Sequence, residues 1–174
     1  MLPEFPIIEL PKARGEWAEL RFMTRAAEHG LAVCKPWGES KHYDFIAEYD
    51  RCLTRIQVKS TMHRQNKGRA YSCCLRGGIA YYTKNDFDFI AIYIIPLDLW
   101  YIIPSPVAIT GRQHIYLSPQ YPKSIYEPYR EAWFQLKQKR CISHANADLC
   151  FRHGCTARIE KETIEKEETV FVQT

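Results

Sequence analysis

Tyr43-Asp44-Phe45-Ile46-Ala47-Glu48-Tyr49-Asp50-Arg51-Cys52-Leu53-Thr54-Arg55-Ile56-Gln57-Val58-Lys59 reads as two strands folded back on each other. Asp44 to Glu48 and Thr54 to Lys59 are both rich in β-branched and aromatic residues. A two-residue turn at Asp50-Arg51 sets Tyr49 opposite Cys52, and stepping outward sets Asp44 opposite Gln57. Opposed residues share a face. Lys59 is two residues past Gln57 and points the same way. Ile56 and Val58, with Phe45 and Ala47 across from them, point the other way. Asp-Arg is a poor pair for a type I′ turn, so a longer, shifted loop is the competing register. A slip of one residue would take Asp44 off the face of Gln57.

A helix precedes this hairpin. Gly15 to His29 has helical periodicity, and Gly30 ends it. Leu20, Met23, Ala26 and Ala27 form an apolar stripe at helical spacing. Glu19 lies on the side of Phe22, Met23 and Ala26 and is carried towards the core; a place at the edge of the stripe is the plainer reading. Glu16 falls in the first turn, where the helix N-terminus favours a carboxylate for structural reasons.

Asp44 and Gln57 offer hard oxygen donors, and the main-chain carbonyl of Val58 is close by. Magnesium takes such donors, usually with only one or two carboxylates beside phosphate and water. Lys59 supplies a positive charge for a phosphate or for an attacking water. Glu19 adds a ligand or orients the water. Together Glu19, Asp44, Gln57 and Lys59 are the candidate catalytic set, with Asp44, Gln57, Val58 and Glu19 around the metal.

Gly15-x-x-x-Glu19, Tyr43-Asp44-Phe45 and Gln57-Val58-Lys59 resemble the PD-(D/E)XK nuclease superfamily. The likeness is nearest to small bacterial nucleases related to group I intron homing endonucleases, and archaeal Holliday-junction resolvases are similar in the same three places. The resemblance implies that Asp44 is the first metal ligand, Gln57 holds the second acidic position, Lys59 is the signature lysine and Glu19 the helix glutamate. Tyr43 stands where the family has proline. Gln57 stands for an acid, so metal binding should be weaker.

The chain has 174 residues, enough for one domain with a real core. The organisation expected is a nuclease-like domain over residues 1–138 and a C-terminal extension over 139–174. The fold class is α/β: a mixed central sheet of about five strands flanked by helices, restriction-endonuclease-like. No run approaches the length of a membrane span; Ile90 to Ile103 is apolar but is broken by Pro96, Asp98 and Pro104. Met1 to Pro11 is an irregular arm and no secretory signal. Net charge is +4; the tail from Ile159 holds five glutamates and two lysines, which leaves +7 on the rest. Such an excess suits phosphate contact. The seven cysteines show no ladder of spacings and are read as free thiols in a reducing cytoplasm.

Pro36 to Tyr43 is the loop into the hairpin, with Ser40 and Lys41 as phosphate contacts. His42 is read as a surface loop residue. Ser60 to Arg69 is polar and basic and reads as a mobile loop beside the site. Ser60, Arg64, Lys67 and Arg69 would grip backbone phosphates. Ala70 to Leu75 and Ala80 to Tyr82 are strand-like about Gly77-Gly78, and Tyr81 and Tyr82 are read as packing. Asp86 to Ile95 looks like a central buried strand returned by Leu99 to Ile103, with Asp86 and Asp88 solvating its entry. Ala108 to Leu117 adds a strand or loop, and Ile125 to Gln138 reads as a helix. In the tail, Cys141, His144, Cys150, His153 and Cys155 invite a zinc reading, but a paired Cys-x-x-Cys knuckle is missing. The function expected is a DNA endonuclease using Mg²⁺, with Mn²⁺ able to substitute, working on DNA without a membrane partner, as a homodimer or higher homo-oligomer if its target is symmetric. The alternatives are a Holliday-junction resolvase and a catalytically weak DNA-binding or assembly module that keeps the fold.

Overall fold

The computed structural model describes residues 8–38, 40–65, 69–77 and 80–138. The zinc reading of the tail, and Lys67, lie outside these residues.

Helix α1 runs Pro11–Glu28, one turn earlier than expected. Proline suits the first helical position, where its missing N–H is not needed. At the other end Gly30 takes φ +73°, its N–H bonds Ala27 O at 2.8 Å, and Leu31 N–H bonds Ala26 O at 2.9 Å. This is a Schellman motif closed by the buried Leu31. The stripe expected on α1 is corrected. Ala18, Phe22 and Ala26 are buried, whereas Leu20 is 63% exposed and Met23 38%. The buried stripe lies around the helix from the larger aliphatic residues because the aromatic Phe22, not Leu20, is the anchor. Glu16, no longer in the first turn, is exposed.

Strand β1 (Ala32–Cys34) leads to β2 (Phe45–Tyr49), and β2 turns into β3 (Cys52–Thr61). The pairing follows the expected register: Tyr49 faces Cys52 and Phe45 faces Ile56. Asp50 and Arg51 both take positive φ, 47° and 65°. That is the two-residue turn, formed despite its poor residues. Short strand β4 (Arg64–Gln65) pairs with β5 (Ala70–Cys74), and β6 (Arg76–Gly77) with β7 (Ala80–Tyr81). The loop expected from Ser60 to Arg69 is therefore strand in part, at Ser60, Thr61, Arg64 and Gln65: β3 continues to Thr61, because β8 (Phe89–Ile94) runs parallel beside it from Ile56 to Thr61. A 3₁₀ turn leads to β9 (Leu99–Pro104). A single turn α2 (Ser105–Ala108) precedes β10 (His114–Leu117), which pairs with β5.

The main sheet has the order β1-β2-β3-β8-β9, mixed and five-stranded, as expected. α1 covers one face, where Phe45, Ala47, Ile56, Val58, Phe89, Ala91 and Tyr93 meet Ala18, Phe22 and Ala26. The second sheet, β10-β5-β4, covers the other, where Ile90, Ile92 and Ile94 meet Tyr71, Cys73, Ile115 and Leu117. Strand β8 is buried on both faces, which accounts for its unbroken apolar run.

The helix expected over Ile125 to Gln138 is also corrected. It is two 3₁₀ turns, Glu127–Tyr129 and Trp133–Lys137. Pro128 lacks the N–H a helix would use. Between the turns Glu131 takes φ +47°. Its N–H bonds Trp100 O at 2.9 Å, and its carboxylate accepts Trp100 N–H at 2.8 Å and Trp133 Nε1–H at 2.8 Å. The segment caps the outer edge of β9 instead of coiling. Among the described residues no helix is long and apolar enough to cross a membrane.

Candidate active site

The site begins where the sheet forks. On one side β3 keeps its partner β8 as far as Thr61. On the other, β2 starts only at Phe45, opposite Ile56. The last backbone bond on that side is Asp44 N–H to Ile56 O, 2.9 Å. Beyond it Val58 has no strand to bond, and the Asp44 side chain takes the strand's place: Val58 N–H donates to Asp44 Oδ2 at 2.7 Å. The N–H and C=O of a strand residue leave on the same side, so the Val58 carbonyl faces the fork too. Asp44 sits at the entry to β2, not within it.

Gln57, 5% exposed, donates its side-chain amide to Asp44 Oδ2 at 2.6 Å and to Val58 O at 3.1 Å. Its Nε2 thus stands between two oxygens. Glu19 comes from α1, on the face opposite to Gln57, and meets the others at the open side of the fork. A depression of about 280 Å³ is lined by Glu19, Asp44, Gln57, Val58, Lys59 and Ser60, with Arg14 on its rim. A second, of about 330 Å³, shares Glu19 and Asp44 and adds Lys35, Lys41 and Tyr43.

Electrostatics follow from burial. Burial pushes the Asp44 carboxyl up to about 6, helped by Glu19; the Val58 N–H, Lys59 and Lys35 pull the other way. Burial works against the Lys59 ammonium, yet Tyr82, then Cys73 and Asp44, hold it above its usual value. Tyr82 and Cys73 are themselves raised by burial, so at neutral pH Asp44 is the anion that matters to Lys59. Lys59 Nζ donates to Arg76 O at 3.1 Å and lies 5.2 Å from the centre of the Tyr82 ring. Glu19 is engaged by Lys35 at 2.7 Å.

Of the expected site residues, Glu19, Asp44, Gln57, Val58, Lys59 and Ser60 converge on one depression, and Lys41 lines its neighbour. Ser40 is exposed on the loop beside it. Arg64 and Arg69 line neither depression. Arg64 Nε donates to Tyr71 Oη at 2.9 Å, and the Arg69 carbonyl accepts the Gln120 amide. His42 is more than a bare surface residue: its Nδ1 contacts Asp86 at 3.1 Å. Asp88 is structural, gripping Arg55 through both carboxylate oxygens at 2.9 and 3.2 Å and accepting Arg55 N–H at 2.8 Å. Lys35 and Tyr82 were not legible from spacing. Each meets its partner only through tertiary contact, Lys35 with a helix and Tyr82 beneath Lys59.

The donors fit a hard cation. Two oxygens, Asp44 Oδ2 and Val58 O, already converge on one donor, and burial makes Asp44 short of positive charge. Among the described residues no group of three or more His, Cys, Asp or Glu forms a metal cluster, as follows when a glutamine and a carbonyl replace acids.

A family model for the PD-(D/E)XK endonucleases matches residues 10–133. The chain belongs to the PD-(D/E)XK endonuclease family. It is a hydrolase, a DNA endonuclease, and nucleases of this family generally use divalent metal ions. Among solved structures, the bacterial homing endonuclease I-Ssp6803I is 32% identical with a TM-score of 0.66, over 75% of this chain and 93% of that one. The Holliday junction resolvase Hjc of Archaeoglobus fulgidus is 15% identical with a TM-score of 0.46, over 70% and 96%. Among curated proteins none matches the chain.

Proposed function

We propose that this endonuclease cuts duplex DNA with Mg²⁺, Mn²⁺ substituting, held by Asp44, the Val58 carbonyl and Gln57, with Glu19 as a direct or water-mediated ligand. One observation carries the reading: the Gln57 amide stands between Asp44 Oδ2 and Val58 O, at 2.6 and 3.1 Å, at the open side of a forked sheet. The O and N ends of an amide have nearly the same shape, so Gln57 turned over would offer oxygen instead. When bound, the cation lowers the pKa of a water and stabilises charge on the phosphate.

The protein's own residues do the rest. Asp44 is ionised above about pH 6 and holds Val58 and Gln57 in place. Lys59, protonated at neutral pH, sets positive charge against the scissile phosphate or the attacking water. Ser60, Ser40 and Lys41 line the path of the strand, and Arg64 and Arg69 hold phosphates further along it; Lys67 is assigned to the phosphates on its charge alone. The nuclease domain is residues 1–138. The four described cysteines, 34, 52, 73 and 74, are free, which suits work in a reducing cytoplasm. A symmetric target would call for a homodimer or larger homo-oligomer. The likeness to a homing endonuclease supports the endonuclease reading of the site.

Supercoiled plasmid tests this. The wild type is expected to nick it with Mg²⁺ and not with EDTA, and Asp44→Ala and Lys59→Ala to lose the nicking. Equal nicking by all three would overturn the assignment. A four-way junction cut in preference to a linear duplex would move the substrate to branched DNA.

A further inference from the structure

Of the four tryptophans, Trp100 and Trp133 are buried, Trp17 is packed against the core and Trp37 is 100% exposed. A bare indole in water forgoes the largest burial gain a side chain can make. Trp37 sits on the connection between β1 and β2. Its neighbours Pro36 and Gly38 line the depression that holds Glu19, Asp44 and Lys41. The loop is tied down on both sides of it. Lys35 is anchored to Glu19 at 2.7 Å and His42 to Asp86 at 3.1 Å, and Gly38 takes φ +75°, a conformation that suits glycine. The loop that carries the ring is therefore held beside the site, and the ring itself is bare to solvent.

The charge around it names the partner. Lys12, Lys35 and Lys41 line the same depression beside Glu16, Glu19 and Asp44; Lys35 is paired with Glu19, which leaves Lys12 and Lys41 to meet phosphates. A pocket on another protein would ask for an apolar rim, whereas an aromatic side chain beside lysines and a phosphodiester-cutting site suits a nucleic-acid strand, phosphates on Lys12 and Lys41 and a base on the ring.

We propose that Trp37 stacks on a base of the bound DNA beside the cut. The inference rests on the nuclease reading above and adds a physical demand on the substrate. The face of a base is covered in an intact duplex, so a step must open, or a base leave the stack, for the ring to reach it.

The test uses the full chain with EDTA, so that nothing is cut, and a short gapped duplex carrying 2-aminopurine in its unpaired stretch. Trp37→Ala is expected to bind roughly ten- to a hundredfold more weakly, with the slope of affinity against salt unchanged. Trp37→Phe is expected to recover most of the loss. Lys41→Ala, which removes a phosphate contact, is expected to lower the slope by about one. The 2-aminopurine signal should respond to wild type and not to Trp37→Ala. Because Trp37 contributes nothing to the core, the variant keeps its fold. Equal affinity and an equal 2-aminopurine response for wild type and Trp37→Ala would overturn the proposal, as would a loss of affinity accompanied by a loss of slope. A wild type that nicks plasmid while Trp37→Ala binds normally would sink this inference alone; a wild type that never nicks would sink the reading beneath it.

Discussion

Asp44 does two jobs with one oxygen. Oδ2 ends the β2–β3 ladder by taking Val58 N–H, and it orients the Gln57 amide. Its proton is held more tightly in the folded chain than in the unfolded one, since burial raises it to about 6. The unfolded state therefore binds fewer protons between the ordinary carboxylate range and about 6, and stability falls as pH rises through that window. Asp44→Asn keeps an acceptor without the charge. It should lose cleavage by at least about a hundredfold. It should also melt at a higher temperature than wild type at about pH 8, with the gap closing towards about pH 4; thermal melts at the two pH values check this. Gln57→Glu makes the opposite change. The extra charge should tighten cation binding roughly tenfold, read by Mn²⁺ titration, and lower the melting point without metal, where two carboxylates would meet.

The hairpin was legible because its register needs only local arithmetic and alternation. Phe45 opposite Ile56 is what those give. Asp50-Arg51 looked unsuited to its turn, yet the turn forms, so the strands and not the turn residues set the register. Arg51, at φ 65°, bears the strain of a left-handed residue. Arg51→Gly should add about 0.5 to 1 kcal/mol, measured by urea unfolding. Elements whose shape depends on distant partners were not legible. β3 runs on to Thr61 because β8 lies parallel beside it; β8 itself was read from its apolar run, but nothing in the polar residues from Ser60 announces that pairing. The segment after Ile125 has the apolar spacing of a helix, but Glu131 and the edge of β9 claim its backbone. On α1 the spacing found a helix and missed its face.

At the scale of the whole molecule, one aromatic cluster fixes α1 to the sheet. Phe22 is fully buried, stacked on Phe45 at 5.4 Å, with Trp100 at 5.8 Å and Trp133 at 5.6 Å. Phe22→Ala should cost about 3 to 5 kcal/mol. Because α1 carries Glu19, the loss should also loosen cation binding before the chain unfolds; comparing Mn²⁺ affinity with the urea midpoint would show it. The mixed sheet was foreseeable in outline. Glu19 was already in the candidate set, but its route was not legible: it arrives from the face opposite to Gln57 and meets it only at the open side of the fork. That fork has a consequence for descent. Asp44, Gln57, Val58 and Lys59 ride together on one self-closing hairpin. The bonds among Asp44, Gln57 and Val58 close within the hairpin, so outlying loops can be lengthened or replaced over generations without re-aiming those three, and the cutting chemistry proposed for them travels as a cassette while the surroundings are free to learn new targets.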